Sequence, residues 1–168
     1  DLTGDTASDD VVIVNGTVVL QEGSIVPGSS FTEPIDFAGI FAVYMDNGGN
    51  WYARGDNDVT SVDWLVRNGT PFKTLGDPIF AGASEVFDDT TFAPGFFLHV
   101  GNSLGDYVIG GFTDNADTDR NAVLVLNDQR VICREGDPVD LDGNGMMDDD
   151  AFIGTFGDDD AHLADSGL

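Results

Sequence analysis

Asp140-Leu-Asp142-Gly-Asn144-Gly145-Met146-Met-Asp148 places oxygen-bearing side chains at loop positions 1, 3, 5 and 9, with glycine at position 6. Short acidic side chains at that spacing wrap a hard cation, and the glycine permits the sharp turn between them. The main-chain carbonyl of Met146 falls at the seventh position, another ligand position of such loops. The twelfth position is Ala151, so the bidentate Glu of an EF-hand is missing, and Asp149 or Asp150 is expected to substitute after a bend. The loop predicts a structural calcium site built from Asp140, Asp142, Asn144, Met146, Asp148 and Asp150. The competing reading is a solvated acidic turn that holds no ion.

Other reactive residue types lack partners at the spacing that chemistry needs. His99 lies in an apolar run and is expected to be a core or strand-edge side chain; His162 lies among acids with no second ligand nearby in sequence. Asp165-Ser-Gly167 matches an aspartic-protease triplet, but it occurs once and that chemistry requires two facing carboxyls. No nucleophile elbow accompanies the serines. No catalytic residue is therefore expected. Cys133, the only cysteine, falls within the apolar Val131-Ile132-Cys133 and is expected to be a buried small hydrophobe. Asn15-Gly-Thr17 and Asn68-Gly-Thr70 match the glycosylation sequon, yet both also read as hairpin turns. Asp158-Asp-Asp160 is a second acidic patch, read as a solvated loop. Among the aromatics, 12 Phe against 2 Trp and 3 Tyr suggest core filling. Trp51, Tyr52 and Trp64 are the one plausible platform for a glycan.

The charge balance narrows the classes of partner. Thirty-one acids against six basic residues give a net charge of −25, and 27 of the acids are Asp. Such a surface repels nucleic acid and anionic membranes and suits cations or high salt. No apolar run approaches the ~20 residues needed to span a bilayer, so no membrane insertion is expected.

The elements that must carry these residues repeat. Val11-Val-Ile-Val-Asn-Gly16, Trp64-Leu-Val-Arg-Asn-Gly69 and Val123-Leu-Val-Leu-Asn-Asp128 are apolar strands ending in a turn pair that tolerates positive φ. Each leads into a second strand that ends at Gly23, Gly76 or Gly136. After a loop, Ile40–Met45 and Asn50–Arg54 form two more strands in the first unit, and Gly95–Val100 and Asp106–Gly110 do so in the second. Four short antiparallel strands per unit predict an all-β array of blade-like, β-propeller-like repeats, open or completed by neighbouring copies. Unit one spans 11–60, unit two 61–119 and unit three, incomplete, 120–168, while 1–10 reads as the end of a preceding unit because Leu2–Asp9 aligns with Phe112–Asp119. The chain is accordingly expected to be a piece of a larger protein, or to have its sheets completed by other copies.

The pattern of apolar strand, Asn-Gly, second strand and Glu-Gly-Asp-Pro resembles propeller-like repeats in large secreted or surface-anchored proteins of Planctomycetes-type bacteria. It is clearest over Arg134-Glu-Gly-Asp-Pro138 and the acidic run that follows, and the first two units lack that insert. The resemblance covers nearly all of the chain. It implies an extracellular or cell-surface location; the incomplete end units and exposed strand edges point to a non-catalytic structural role, with self-association through strand edges into an assembly such as a filament or surface layer. The expected partners are copies of the chain or the remainder of a larger repeat protein. An adhesive module that binds glycan or protein is the alternative.

Overall fold

The computed structural model describes residues 6, 8–90, 94–155 and 162–166. Ten strands carry the fold, and no helix occurs among the described residues: β1 (Val11–Val14), β2 (Thr17–Gln21), β3 (Ile35–Met45), β4 (Trp51–Asn57), β5 (Trp64–Arg67), β6 (Thr70–Thr74), β7 (Phe96–Gly101), β8 (Tyr107–Phe112), β9 (Ala122–Leu126) and β10 (Arg130–Arg134). They form three antiparallel sheets of two, four and four strands, ordered β1-β2, β3-β4-β5-β6 and β10-β9-β8-β7. The all-β expectation holds at this level, while neither a closed barrel nor a closed propeller is present among the described residues.

The three hairpins β1-β2, β5-β6 and β9-β10 share one geometry. Asn15-Gly16, Asn68-Gly69 and Asn127-Asp128 all have positive φ at both central positions, the turn whose twist matches that of the flanking strands. In each hairpin the register then slips at the same place. Val12 pairs Leu20 but Ile13 pairs Val18; Leu65 pairs Lys73 but Val66 pairs Pro71; Leu124 pairs Cys133 but Val125 pairs Val131. One bulge, at Val19, Phe72 and Ile132, therefore recurs three times. The same local device thus serves all three hairpins.

The phase of the repeat differs from the sequence units. Each four-stranded sheet begins with the pair that closes one unit and ends with the hairpin that opens the next: β3 and β4 belong to residues 11–60, β5 and β6 to 61–119. The sheets thus straddle the boundaries at 60/61 and 119/120. Tight hairpins are the loudest sequence signal and were natural unit starts, but backbone bonding joins β4 to β5 across the loop between them.

The sheets stack face to face. Alternation sends Trp51, Ala53, Trp64 and Val66 toward the β1-β2 hairpin, where Val12, Leu20, Val26 and Ile35 meet them. Leu65 points the other way and packs with Ile79, Phe87, Phe96, Ile109, Val123 and Val125 against the β7–β10 sheet. A third cluster, with Phe97, Leu98, Val108, Leu124 and Leu163, covers that sheet's far face.

Basic residues mostly join these layers. The lone lysine, Lys73, donates to the Pro78 carbonyl and pairs with Asp128, each at 2.8 Å, linking β6 to the β9-β10 turn. Arg134 forks onto both carboxyl oxygens of Glu85 at 2.9 and 2.7 Å. Arg67 lies over the rings of Tyr52 and Tyr107.

Candidate functional site

The acidic loop is an excursion from a small closed bridge. Pro138 pairs with Phe152, Val139 donates to the Ala151 carbonyl, and Gly136 and Ile153 fix the base. The counterpart bridge, Pro78 with Val86, encloses only a short turn in which Ile79 donates to Glu85. Residues 140–150 therefore extend a shared element without disturbing the sheets.

Within the loop the carboxylates turn inward on backbone donors. Asp140 accepts from Gly143 and Gly145, both at 2.7 Å, and from Asn144 at 3.2 Å. These donors, Gly145 foremost, hold the Asp140 carboxyl below its ordinary range. Asp142 accepts from Asn144 at 3.0 Å, and the Asn144 side-chain oxygen accepts from Met146 at 2.7 Å. Gly143 and Gly145 take the positive φ that these turns require. Asp149 reaches back to accept from Leu141 and Asp142 at 2.6 and 3.2 Å.

One carboxylate oxygen each from Asp140, Asp142 and Asp149 lies within 4.8 Å of the others. Asp148 and Asp150 do not join this group. Of Asp149 and Asp150, the two residues expected to bend in, Asp149 is the one brought to Asp140 and Asp142. The Met146 and Met147 side chains stand in solvent. Three converging carboxylates suit a hard divalent cation.

The aromatic platform does not form. Trp51 is 5% exposed, and Tyr52 and Trp64 are fully buried. Trp51 and Trp64 lie in the core against β1-β2, where alternation places them. Tyr52 faces the next sheet, donates to Asp46 at 3.1 Å and meets His99 edge-on at 5.1 Å. Burial pushes its hydroxyl up to about 12. None of the three offers a face to a ligand. His99 is a core side chain as expected, and burial drives its imidazole down to about 3. Cys133 is half-buried at the edge of the third cluster. His162 is exposed. Asp165 is used structurally, accepting from Ser103 at 3.1 Å. Asp158–Asp160 lie outside the described residues.

A second acidic grouping was invisible as a motif because its members come from separate strands and loops. A cleft of about 750 Å³ is lined by Asp10, Ile40, Phe41, Arg54, Asp56, Asp63 and Asp89 among others. Burial pushes Asp63 up to about 6 against the donors at Gly95 and Phe96. Burial, then the charges of Asp36 and Asp63, push Asp56 to about 6 as well. Arg54 donates to the Phe96 carbonyl at 3.0 Å. Asp63 accepts from Gly95 and so ties the start of β5 to the start of β7. The sequence signal that could have exposed it is the alignment of Asp10 with Asp63, each one residue before its hairpin.

A recurrent polar clamp closes one end of each complete sheet. Asn68 donates its backbone N–H to the Trp51 carbonyl at 2.9 Å, and its side-chain oxygen accepts from the Trp51 N–H at 2.8 Å. Asn127 does the same with Tyr107 at 2.9 and 2.8 Å. The turns before these strands match too: Asp46 accepts from the Asn50 N–H, and Asn102 from the Asp106 N–H. For Asp46, burial raises the carboxyl but the donors from Asn50 and Tyr52 outweigh it, leaving it below the usual range.

Compared with known proteins, the chain matches no family model, no curated protein and no solved structure.

Proposed function

We propose that the chain is a non-catalytic structural module of an extracellular or cell-surface β-repeat protein. Its propeller-like sheets are completed by strands from neighbouring units, whether copies of itself or the remainder of a larger repeat protein. One observation carries this reading. Among the described residues the β1-β2 hairpin pairs with no further strand, whereas its two counterparts are each half of a four-stranded sheet. An unfilled strand position is an assembly site, because the ladder groups along it seek partners. The acidic surface fits the same role, since calcium or salt must lower self-repulsion before such units approach one another. The acidic loop would then hold calcium structurally through Asp140, Asp142 and Asp149. The adhesive alternative has lost its aromatic platform and keeps only the general capacity of a β-array to bind protein.

Sedimentation and electron microscopy of the full chain, with calcium and with chelator across a range of salt, test the reading. Ordered oligomers or filaments that dissociate on chelation or at low salt are expected. Monomers under every condition, with no partner chain completing the sheet, would overturn it.

A further inference from the structure

Among the described residues β3 is the longest strand, and its outer edge is open. The open edge belongs to the repeat itself. β7, the counterpart of β3, is likewise the last strand of its sheet, so both sheets end at this position. The two edges differ in what surrounds them. On β7, Phe96, Phe97, Leu98, His99 and Gly101 are buried. On β3, Phe41, Ala42, Val43 and Met45 are exposed.

Both faces of β3 share this exposure. Ala42 and Tyr44 pair with Arg54 and Tyr52, whose side chains reach Phe96 and His99, so this row looks toward the β7–β10 sheet. That sheet does not close over the row, because β7 lies over β4: the Tyr52 hydroxyl fills the place that a Cβ on Gly101 would take. β3 therefore overhangs its neighbour. A gap of about 300 Å³ opens beneath it, between residues 41–44 and residues 97–100.

Other outer strands carry devices that discourage pairing. β6 has Pro71 and the bulge at Phe72, and β10 has Arg130, Arg134 and the bulge at Ile132. β3 bulges ahead of Ala42 but runs one-to-one with β4 from Ala42 to Met45. No charged residue occurs from Phe37 to Met45, in a chain with 31 acids and six basic residues.

We infer that a second copy of this chain docks on the open edge of β3, with the two β3 strands antiparallel across a two-fold axis. Residues 42–45 of each copy then extend the sheet of the other. Charge selects the occupant. A net charge of −25 sets carboxylates against carboxylates wherever two copies meet through charged surface, and such juxtaposition is costly. The uncharged β3 edge meets its own copy without that cost. A two-fold axis between antiparallel strands stands perpendicular to the sheet, so the same face of each copy lies on the same side. The two gaps beneath β3 adjoin, and their Ala42 and Tyr44 rows continue one another. The inference rests on the assembly reading above and names its edge and its partner.

Sedimentation velocity of the full chain across concentration and salt tests it. A concentration-dependent dimer is expected that tightens as salt screens self-repulsion, with slowed amide exchange over residues 41–45. Ala42→Asp and Val43→Asp, on opposite faces of the strand, should each weaken the dimer about tenfold or more. Both positions are exposed, so both variants should melt like the parent. In a Cys133→Ser background, Ala42→Cys, Val43→Cys or Tyr44→Cys should cross-link two copies, fastest at the residue nearest the axis. Oligomers that both Asp substitutions leave intact overturn the inference and leave assembly standing through another contact. A chain that stays monomeric throughout overturns it too, while strands of a larger repeat protein that still complete the sheet would keep the broader reading.

Discussion

The interface between the two four-stranded sheets and the one between the β1-β2 hairpin and its neighbour are built from the same parts, yet among the described residues only the first has four strands on both sides. In the first, Val125 is fully buried and His99 nearly so; in the second their equivalents are Val66, also fully buried beneath β1-β2, and Val43, which is 48% exposed, while Ile13, the same hairpin position on the outer face of β1-β2, is 53% exposed. Residue type does not separate the two, since Ile13 is as apolar as Val125. What differs is the number of strands on the opposing side. A repeat buries a side chain by supplying its neighbour, so the same apolar residue is core in one layer and surface in another.

The largest effects should come from breaking the filled side. Trp64→Ala, at a fully buried position beside Val12 and Val66, should cost about 3–5 kcal/mol in urea unfolding. Val66→Ala should cost about 2 kcal/mol, while Ile13→Ala, at the equivalent position, should stay within about 0.5 kcal/mol. Equal losses at Val66 and Ile13 would mean that the hairpin's outer face is covered in solution, which would itself support assembly. Asn-to-Gly changes then isolate the clamp, because glycine keeps the positive φ and removes only the side-chain bonds. Asn68→Gly should cost about 1–3 kcal/mol by leaving the Trp51 N–H unpaired, and Asn15→Gly should be near neutral until a strand is docked.

Much of this comparison was legible in the sequence, and the reasons for the misses are physical. The hairpins were readable because Asn-Gly between apolar runs specifies a turn on its own. The pairing of β4 with β5 was not, since it depends on a ladder between strands joined by an irregular loop. Trp51, Tyr52 and Trp64 could stand on a surface or in a core with the same alternation. The outcome depends on how many sheets stack, and stacking leaves no local signal. Asp149 joins Asp140 and Asp142 because positive φ at the glycines and at Asp150 curls the loop, and a linear count does not say which of Asp149 and Asp150 bends in. The Asp56–Asp63 cleft is assembled from distant residues and had no motif to find.

Acid titration probes the filled interface from within. His99 is held neutral by burial, its pKa brought down to about 3 against an ordinary 6.5. The unfolded chain therefore binds the extra proton between those values, and stability is lost as pH falls from about 6.5 toward 3. Asp63 has the opposite sign. Its pKa is raised to about 6, so its contribution is fully present below the ordinary 3.8 and is lost as pH rises through 6. His99→Phe should flatten the acid limb of a stability–pH profile. Asp63→Asn should lessen the decline between about pH 4 and 6, leaving the part that belongs to Asp56, and gain on the parent above that range. Profiles unchanged in both variants would mean that water reaches the gap between the sheets.

Calcium should have the smallest effect on global stability, for a reason the fold supplies. The loop hangs from the Pro138–Phe152 bridge, and Leu141, Met146 and Met147 are all exposed, so residues 140–150 add nothing to the three cores. Free energy released by an ion there orders the loop first and reaches the sheets only through the bridge. Saturating calcium is thus expected to raise the unfolding midpoint by less than the ~2–4 °C that about 1 kcal/mol brings for a chain of this size. It should nonetheless protect the amides of Gly143 to Met146 strongly from exchange. Asp140→Ala and Asp149→Ala should abolish that protection and Asp148→Ala should leave it, because only the first two belong to the converging carboxylates. If Asp148→Ala proved as damaging as Asp149→Ala, the ion would be choosing its ligands by linear spacing, and the bend at Asp150 would have to open as it binds.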